Sequence, residues 1–293
     1  AATLCEGRGR VNGGGAGRGG SARGAACATM AAMIIDAHAH LGYLDGRDRP
    51  AEGLAAYATA CGVGALLTSH VDATGPQALL DEVDANRAGL EAHRKDARLV
   101  PLYWVRAGLF DSNPQALAGA LSREPFAGAV FSPRLHGYTL ADGERLGPYL
   151  AVLASLNRPA IMRLDRATPA AAAAGELLAL ARQFPRVPLL VYDALANTAR
   201  AELLDAAAHA TRRGDGLLYF DTAHADAGEI ARAVAAIGPE RVLFGTDACH
   251  YGEEHAGLVR ALLAELRDRL GPTAFAAVTG ENARRLFGLA GGE

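Results

Sequence analysis

The chain has no run of eighteen or more apolar residues, so nothing in it reads as a membrane-spanning helix. It has no basic run and no aromatic ladder, and its formal net charge is −3, so it lacks the electrostatic footprint of a nucleic-acid-binding protein. Its four cysteines, Cys5, Cys27, Cys61 and Cys249, show no paired spacing, which argues against a disulfide framework and makes a reducing cytoplasm the expected location. Lysine is nearly missing, with Lys95 the single one, so an arginine at any given place carries little weight by itself. No hydrophobic signal core opens the chain, and its early glycines do not suit an amphipathic transit helix.

Residues 1–32 are poor in bulky apolar side chains, with Gly13-Gly14-Gly15 and Gly19-Gly20 set among Ala, Ser and Arg. Such a composition cannot bury enough surface to order itself, so a disordered low-complexity tail is expected there. Met30 or Met33 is an alternative start, which would make the tail an artefact of gene calling. Residues 33–290 read as one domain, because half of all residues are hydrophobic and the length suits a single α/β barrel.

Within that domain short apolar runs alternate with segments of helical periodicity. The expected strands are 33–37, Gly64–Ser69, Leu99–Val105, Ala127–Phe131, Ala160–Leu164, Leu189–Tyr192, Leu217–Phe220 and Val242–Gly245. The last long helical segment carries Leu258, Leu262 and Leu266 beside Val259 and Leu263. Strands each followed by a helix, at roughly 30 residues per unit, predict a (β/α)8 TIM-type barrel. A doubly wound open sheet is the alternative, but the first strand is followed by histidines instead of a Gly-x-Gly-x-x-Gly phosphate turn.

Those histidines belong to Asp36-Ala37-His38-Ala39-His40, which closes the run Met33-Ile34-Ile35. Alternation along a strand puts His38 and His40 on one face, with Asp36 beside them, so two imidazoles can converge on a metal ion or a reacting water. Taken alone, two alternating histidines can simply pack or face water. A second buried run, Arg241-Val-Leu-Phe-Gly-Thr-Asp247, ends in a carboxylate. In a barrel the active site lies at the C-terminal ends of the strands, where this chain places His38 and His40, His70, Arg106, Arg134 with His136, Arg163 with Asp165, Asp193, Asp221 with His224, and Asp247. Charges abutting buried strand ends are costly unless paired or used.

The Asp-x-His-x-His opening, Phe131-Ser-Pro-Arg-Leu-His-Gly-Tyr138, Gly245-Thr-Asp247 and Glu281-Asn-Ala-Arg-Arg-Leu-Phe287 together resemble the amidohydrolase-related superfamily, in the branch that contains aminocarboxymuconate semialdehyde decarboxylase. The resemblance spans about 33–288 and implies a distorted (β/α)8 barrel. It also implies a divalent ion, or a water positioned around it, held by first-strand histidines, fifth- and often sixth-strand histidines and an eighth-strand aspartate. His38, His40 and Asp247 stand at matching positions. Two positions depart from the pattern: Arg163 replaces the fifth-strand histidine and Asp193 the sixth.

A guanidinium has no lone pair and repels a neighbouring cation, so Arg163 is no metal ligand. Asp193 can be one, or can pair with Arg163 through two hydrogen bonds. Two readings therefore stand side by side. In one, His38, His40, Asp193 and Asp247 hold one Zn²⁺ or Mn²⁺ with a water, which Asp247 orients or deprotonates. In the other the ion is lost, as in the superfamily's metal-independent lactonases, and Arg163 supplies the charge while Asp247 activates water with His38 or His40 as proton carrier.

Arg106, Arg134 and Arg163 end successive strands and suggest a small carboxylate-bearing substrate; His136 and His224 are further candidates to contact it. His224 or His250 can replace the missing fifth-strand histidine. His70 is expected to cap its own strand, whereas His93, His209 and His255 fall in helical segments and read as surface residues. Cys249 lacks an activating partner and reads as a core filler. The expected function is hydrolysis of an amide, ester or lactone by attack of activated water. Non-oxidative decarboxylation of a small unsaturated acid is the alternative, and a decayed barrel that binds a small acid is the reading outside enzymes. The family makes a homodimer plausible.

Overall fold

The computed structural model describes residues 33–44, 47–70, 80–109, 112–133, 135–164, 170–197, 200–248 and 252–290. The expected disordered tail at 1–32 lies outside the described residues, as do Arg134, Asp165, Cys249 and His250.

The strands are β1 (Ile34–Leu44), β2 (Arg47–Arg49), β3 (Val63–His70), β4 (Leu99–Pro101), β5 (Tyr103–Val105), β6 (Ala129–Phe131), β7 (Ala160–Arg163), β8 (Pro188–Tyr192), β9 (Leu217–Asp221) and β10 (Val242–Leu243). All pair in parallel around a ring except β2, which folds back antiparallel on β1. β4 and β5 are one expected strand broken at Leu102. Leu102 N–H donates back to Thr68 O at 2.7 Å while Tyr103 N–H donates forward to Gly128 O at 2.9 Å, so the ring continues through the break. It closes where Ala37 N–H donates to Phe244 O at 2.8 Å and His40 N–H to Ala248 O at 3.1 Å. The fold is the (β/α)8 barrel that the sequence predicts.

The strands read as continuous apolar runs because both faces are buried. Phe131, Met162, Val191 and Phe220 face the helices, while Ile35, Leu67, Trp104, Val130, Ile161, Leu190, Tyr192 and Leu243 fill the barrel interior. Carrying that alternation two residues onward points Ser69, Arg106, Ser132 and Arg163 towards the mouth.

The covering helices are α1 (Ala51–Cys61), α2 (Glu82–Lys95), α3 (Pro114–Arg123), α4 (Gly143–Leu156), α5 (Ala170–Gln183), α6 (Arg200–Arg213), α7 (Ala227–Ile237) and α8 (His255–Ala276), followed by a short α9 (Asn282–Phe287). Four begin on side-chain caps: Asp81, Asn113, Asp142 and Asp226 each accept a hydrogen bond from a backbone N–H in the first turn. In α8 the buried stripe is Val259, Leu263 and Leu266, whereas Leu258 is half exposed. The expected apolar periodicity holds, with Val259, Leu263 and Leu266 of that set facing inward.

Two strand ends differ from expectation. β1 runs on to Leu44 because Gly42, Tyr43 and Leu44 pair with β2, where a loop was expected. β10 stops at Leu243 because Phe244 N–H turns instead to Val278 O at 2.8 Å in the π-helical turn Ala277–Glu281.

Candidate active site

The pairing of β1 with β3 shifts register between Asp36 and Ala39. This bulge changes which residues face inward: Ile35 and Ala37 fill the barrel interior below it, yet His38 and His40 face the axis above it. Asp36 does not stand beside them. Its side chain points away, accepting from Tyr57 Oη at 2.8 Å and Thr246 Oγ1 at 2.6 Å, and from the backbone N–H of His38 and of Thr246. His255 completes this network at 3.0 Å from Thr246 Oγ1 and is buried, which corrects its expected surface position. Asp36 therefore ties β1 to the end of β10, and burial pushes its carboxyl up to about 6.

The two imidazoles converge. His38 Nε2 lies 2.9 Å from His40 Nε2. His38 Nδ1 lies 2.5 Å from Asp221 Oδ2, and its ring stacks on Tyr192 with centroids 3.7 Å apart. His40 Nδ1 lies 2.9 Å from Ser69 Oγ. When each Nδ1 carries its proton toward these oxygens, both Nε2 lone pairs face the same point. Burial lowers the pKa of both rings, and the charge of Arg163 lowers that of His40 further, so both stay neutral near pH 7.

Asp247 reaches the same point from β10, its Oδ1 3.7 Å from His40 Nε2 and 4.0 Å from His38 Nε2. Its other oxygen, Oδ2, is 3.1 Å from His224 Nε2. His224 Nε2 in turn lies 3.7 Å from Asp193 Oδ1. These three residues share an unusual backbone: φ is 60° at Asp193, 60° at His224 and 54° at Asp247, and Asn157 is the only other positive-φ residue besides glycine among the described residues. The left-handed kink turns each side chain over the barrel axis where the strand would have carried it past. Such conformations cost of order 1–3 kcal/mol each and gather at functional sites.

His38, His40 and Asp247 each bring one ligand atom within 4.8 Å of the others, and all three are buried. Two imidazole nitrogens bound tetrahedrally to one ion at about 2.0–2.1 Å lie about 3.3–3.4 Å apart, so the 2.9 Å gap seen here opens by about half an ångström around an ion. With its Nδ1 proton toward Asp221, His38 has the far-side carboxylate support that is usual for a metal ligand. The residues fit a divalent ion. Asp193 stands outside the three-residue cluster, near the same His224 Nε2 that meets Asp247.

Arg163 ends β7, and its charge acts on His38, His40 and Asp193. The doubly hydrogen-bonded Arg163–Asp193 pair is not formed: Arg163 Nη1 and Asp193 Oδ1 are both buried without a hydrogen-bond partner. Arg106 is half-buried after β5, with its backbone N–H on Glu82 Oε2 at 2.7 Å. His136 packs edge-on to Trp104 at 5.7 Å, which places it over the interior residues of β5. Sequence reasoning passed over Ser69, Tyr192 and Arg49; Asp221 was noticed only as a strand end. Their common signal is position, one alternation step above an interior residue or opposite one across a hairpin.

An amidohydrolase family model matches residues 35–289. No curated protein matches by sequence. Among solved structures, 2,6-dihydroxybenzoate decarboxylase from Rhizobium matches with a TM-score of 0.67 at 15% identity, over 88% of this chain and 99% of that one. A probable 2-pyrone-4,6-dicarboxylic acid hydrolase from Acinetobacter baumannii with citric acid bound gives 0.62 at 12% identity, over 87% and 99%. The 5-carboxyvanillate decarboxylase of Novosphingobium aromaticivorans, complexed with manganese and 4-hydroxy-3-methoxy-5-nitrobenzoic acid, gives 0.62 at 14% identity, over 88% and 97%. At these identities the likeness is one of fold.

Proposed function

The chain belongs to the amidohydrolase family, and we propose that within it the protein is a hydrolase acting on an amide, ester or lactone of a small carboxylate-bearing molecule. The observation that carries this reading is the convergence of His38, His40 and Asp247 on one buried point, with His224 on the other oxygen of Asp247. His38, His40 and Asp247 would hold a Zn²⁺ or Mn²⁺ ion. Such an ion, when bound, lowers the pKa of water and polarises a carbonyl.

The chain's own residues do the rest. Asp221 and Ser69 hold the imidazole rings in place from their Nδ1 sides. Asp247 accepts the proton of the attacking water on Oδ1, the oxygen facing the imidazoles, and returns it to the leaving group, while His224 holds Oδ2. Arg163 grips the substrate's carboxylate, with Arg106 adding positive charge beside it. His136, set edge-on over Trp104, contacts its body.

In the metal-free version of this reading Ser69 donates to His40 Nδ1, the His40 Nε2–H donates to His38, and Arg163 alone polarises the carbonyl. Non-oxidative decarboxylation is the second reading. It is favoured by the names of two of the matched structures, both decarboxylases. A panel of small lactones, amides and unsaturated or aromatic acids in ¹⁸O-labelled water separates the two: hydrolysis places label in the product acid, whereas decarboxylation releases CO2 and leaves the product unlabelled. No turnover on the panel, together with tight binding of a small acid, would replace both with the binding-protein reading.

A further inference from the structure

Arg49 ends β2 opposite Gly42 of β1, in a pair where side chains share a face. Gly42 lies two residues beyond His40, and its φ of 95° bends the strand there, so Arg49 sits at the mouth end of β1. Gly42 offers no side chain opposite it. Arg49 is only 3% exposed, and its Nε, Nη1 and Nη2 are all buried without a hydrogen-bond partner among the described residues. The charge of Arg49 is felt at His40, as is that of Arg163.

An enclosed guanidinium with its whole donor set unused is among the most expensive arrangements a protein can hold, because the charge has lost water and gained no partner. The arginines that stabilise this fold look different: Arg98 makes three hydrogen bonds to the Asp96 carboxylate, and Arg182 meets Asp215 at 3.1 Å. Among the described residues Arg49 has no acid of its own. We propose that Arg49 holds an acidic group of the substrate, so that the substrate is a small dicarboxylate presenting one carboxylate to Arg163 and the second to Arg49. This deepens the proposed function and rests on it only for the identity of the site.

The planar fork of Arg49 matches a carboxylate at two points, and the absent partner is supplied by the ligand itself. Its role is therefore binding and selection between mono- and dicarboxylates, with the chemistry left to Asp247 and its neighbours.

The test is calorimetric titration of the full chain with benzoate and with isophthalate, in wild type and in Arg49→Gln, Arg49→Lys and Arg163→Gln, alongside thermal melting without ligand. Isophthalate is expected to bind wild type at least tenfold more tightly than benzoate, and Arg49→Gln is expected to abolish that preference while raising the melting temperature of the free protein. Arg49→Lys, which keeps the charge and loses the fork, should retain part of the preference. A structural role predicts the reverse pattern, a lowered melting temperature with the preference intact, and that result overturns the proposal; so does equal binding of the two acids by wild type. Absence of turnover on every substrate, with the Arg49-dependent preference present, would overturn the hydrolase reading and leave this one standing.

Discussion

A methyl group on Gly245 would lie 2.8 Å from Cβ of His38 and 3.2 Å from both Cβ and Oδ2 of Asp221. Gly245 is therefore the gap through which His38 and Asp221 meet. Gly245 follows the end of β10, and any side chain there would push the imidazole off its carboxylate. Gly245→Ala is expected to fold with a loss of about 1–3 kcal/mol, the usual cost of overpacking a filled core. It should lose divalent-ion affinity by more than its stability cost implies. Urea unfolding and a metal titration on the same variant check this; unchanged metal affinity would detach Gly245 from the site.

Asp221 uses both oxygens: Oδ2 meets His38 Nδ1 and Oδ1 accepts the backbone N–H of Asp193 at 2.9 Å. An amide has only one acceptor oxygen. In Asp221→Asn, either His38 loses its orienting acceptor or the NH2 group faces the Asp193 N–H. Divalent-ion affinity is expected to fall roughly 10–100-fold, the range found when such supporting groups are removed. Equilibrium dialysis against Zn²⁺ or Mn²⁺ measures it, and an affinity within twofold of wild type would mean that Asp221 is a packing residue.

Much of this was legible in the chain. The eight barrel strands show themselves as apolar runs because both faces of a parallel strand are buried, and His38, His40 and Asp247 stand out because ionisable groups rarely follow such runs directly. The bulge in β1 was not legible. Alternation alone puts Asp36, His38 and His40 on one face, but the register shift at Asp36 sends its carboxylate toward Tyr57 on α1. His255 was misplaced for a related reason: helical context says nothing about whether a polar ring finds a buried hydroxyl, and Thr246 provides one. The left-handed turns at Asp193, His224 and Asp247 carry no glycine to announce them.

The Asp36 network gives a stability that depends on pH. Burial raises the Asp36 carboxyl from 3.8 to about 6, so its contribution is fully present below about pH 4 and is lost as pH rises through 6. The hydroxyl of Tyr57 favours the ionised form. Removing it in Tyr57→Phe pushes the carboxyl higher still, so the substitution is nearly neutral where Asp36 is protonated and costly where it is charged. Its cost is expected to be about 1–2 kcal/mol greater at pH 8 than at pH 4, in line with hydrogen bonds to charged groups. Urea unfolding of both proteins at the two pH values checks it, and equal costs would show that Asp36 does not titrate in this range.

Metal removal tests the meeting of His38 and His40 most directly. Two neutral imidazoles with Nε2 atoms 2.9 Å apart need something between their lone pairs, either an ion or a proton on one ring. A neutral His40 that accepts from Ser69 at Nδ1 and carries its proton on Nε2 fills the gap as well as an ion does, so metal dependence distinguishes the two. A ligand that binds the folded state alone stabilises it by about 2.7 kcal/mol at a hundred times its dissociation constant. Purified protein is therefore expected to melt at a lower temperature after chelation and to recover when Zn²⁺ or Mn²⁺ is returned. His40→Ala should melt alike with and without the ion. A wild-type melting temperature that ignores both chelator and metal would leave the proton-sharing arrangement, with Ser69 donating to His40, as the state in which the barrel works.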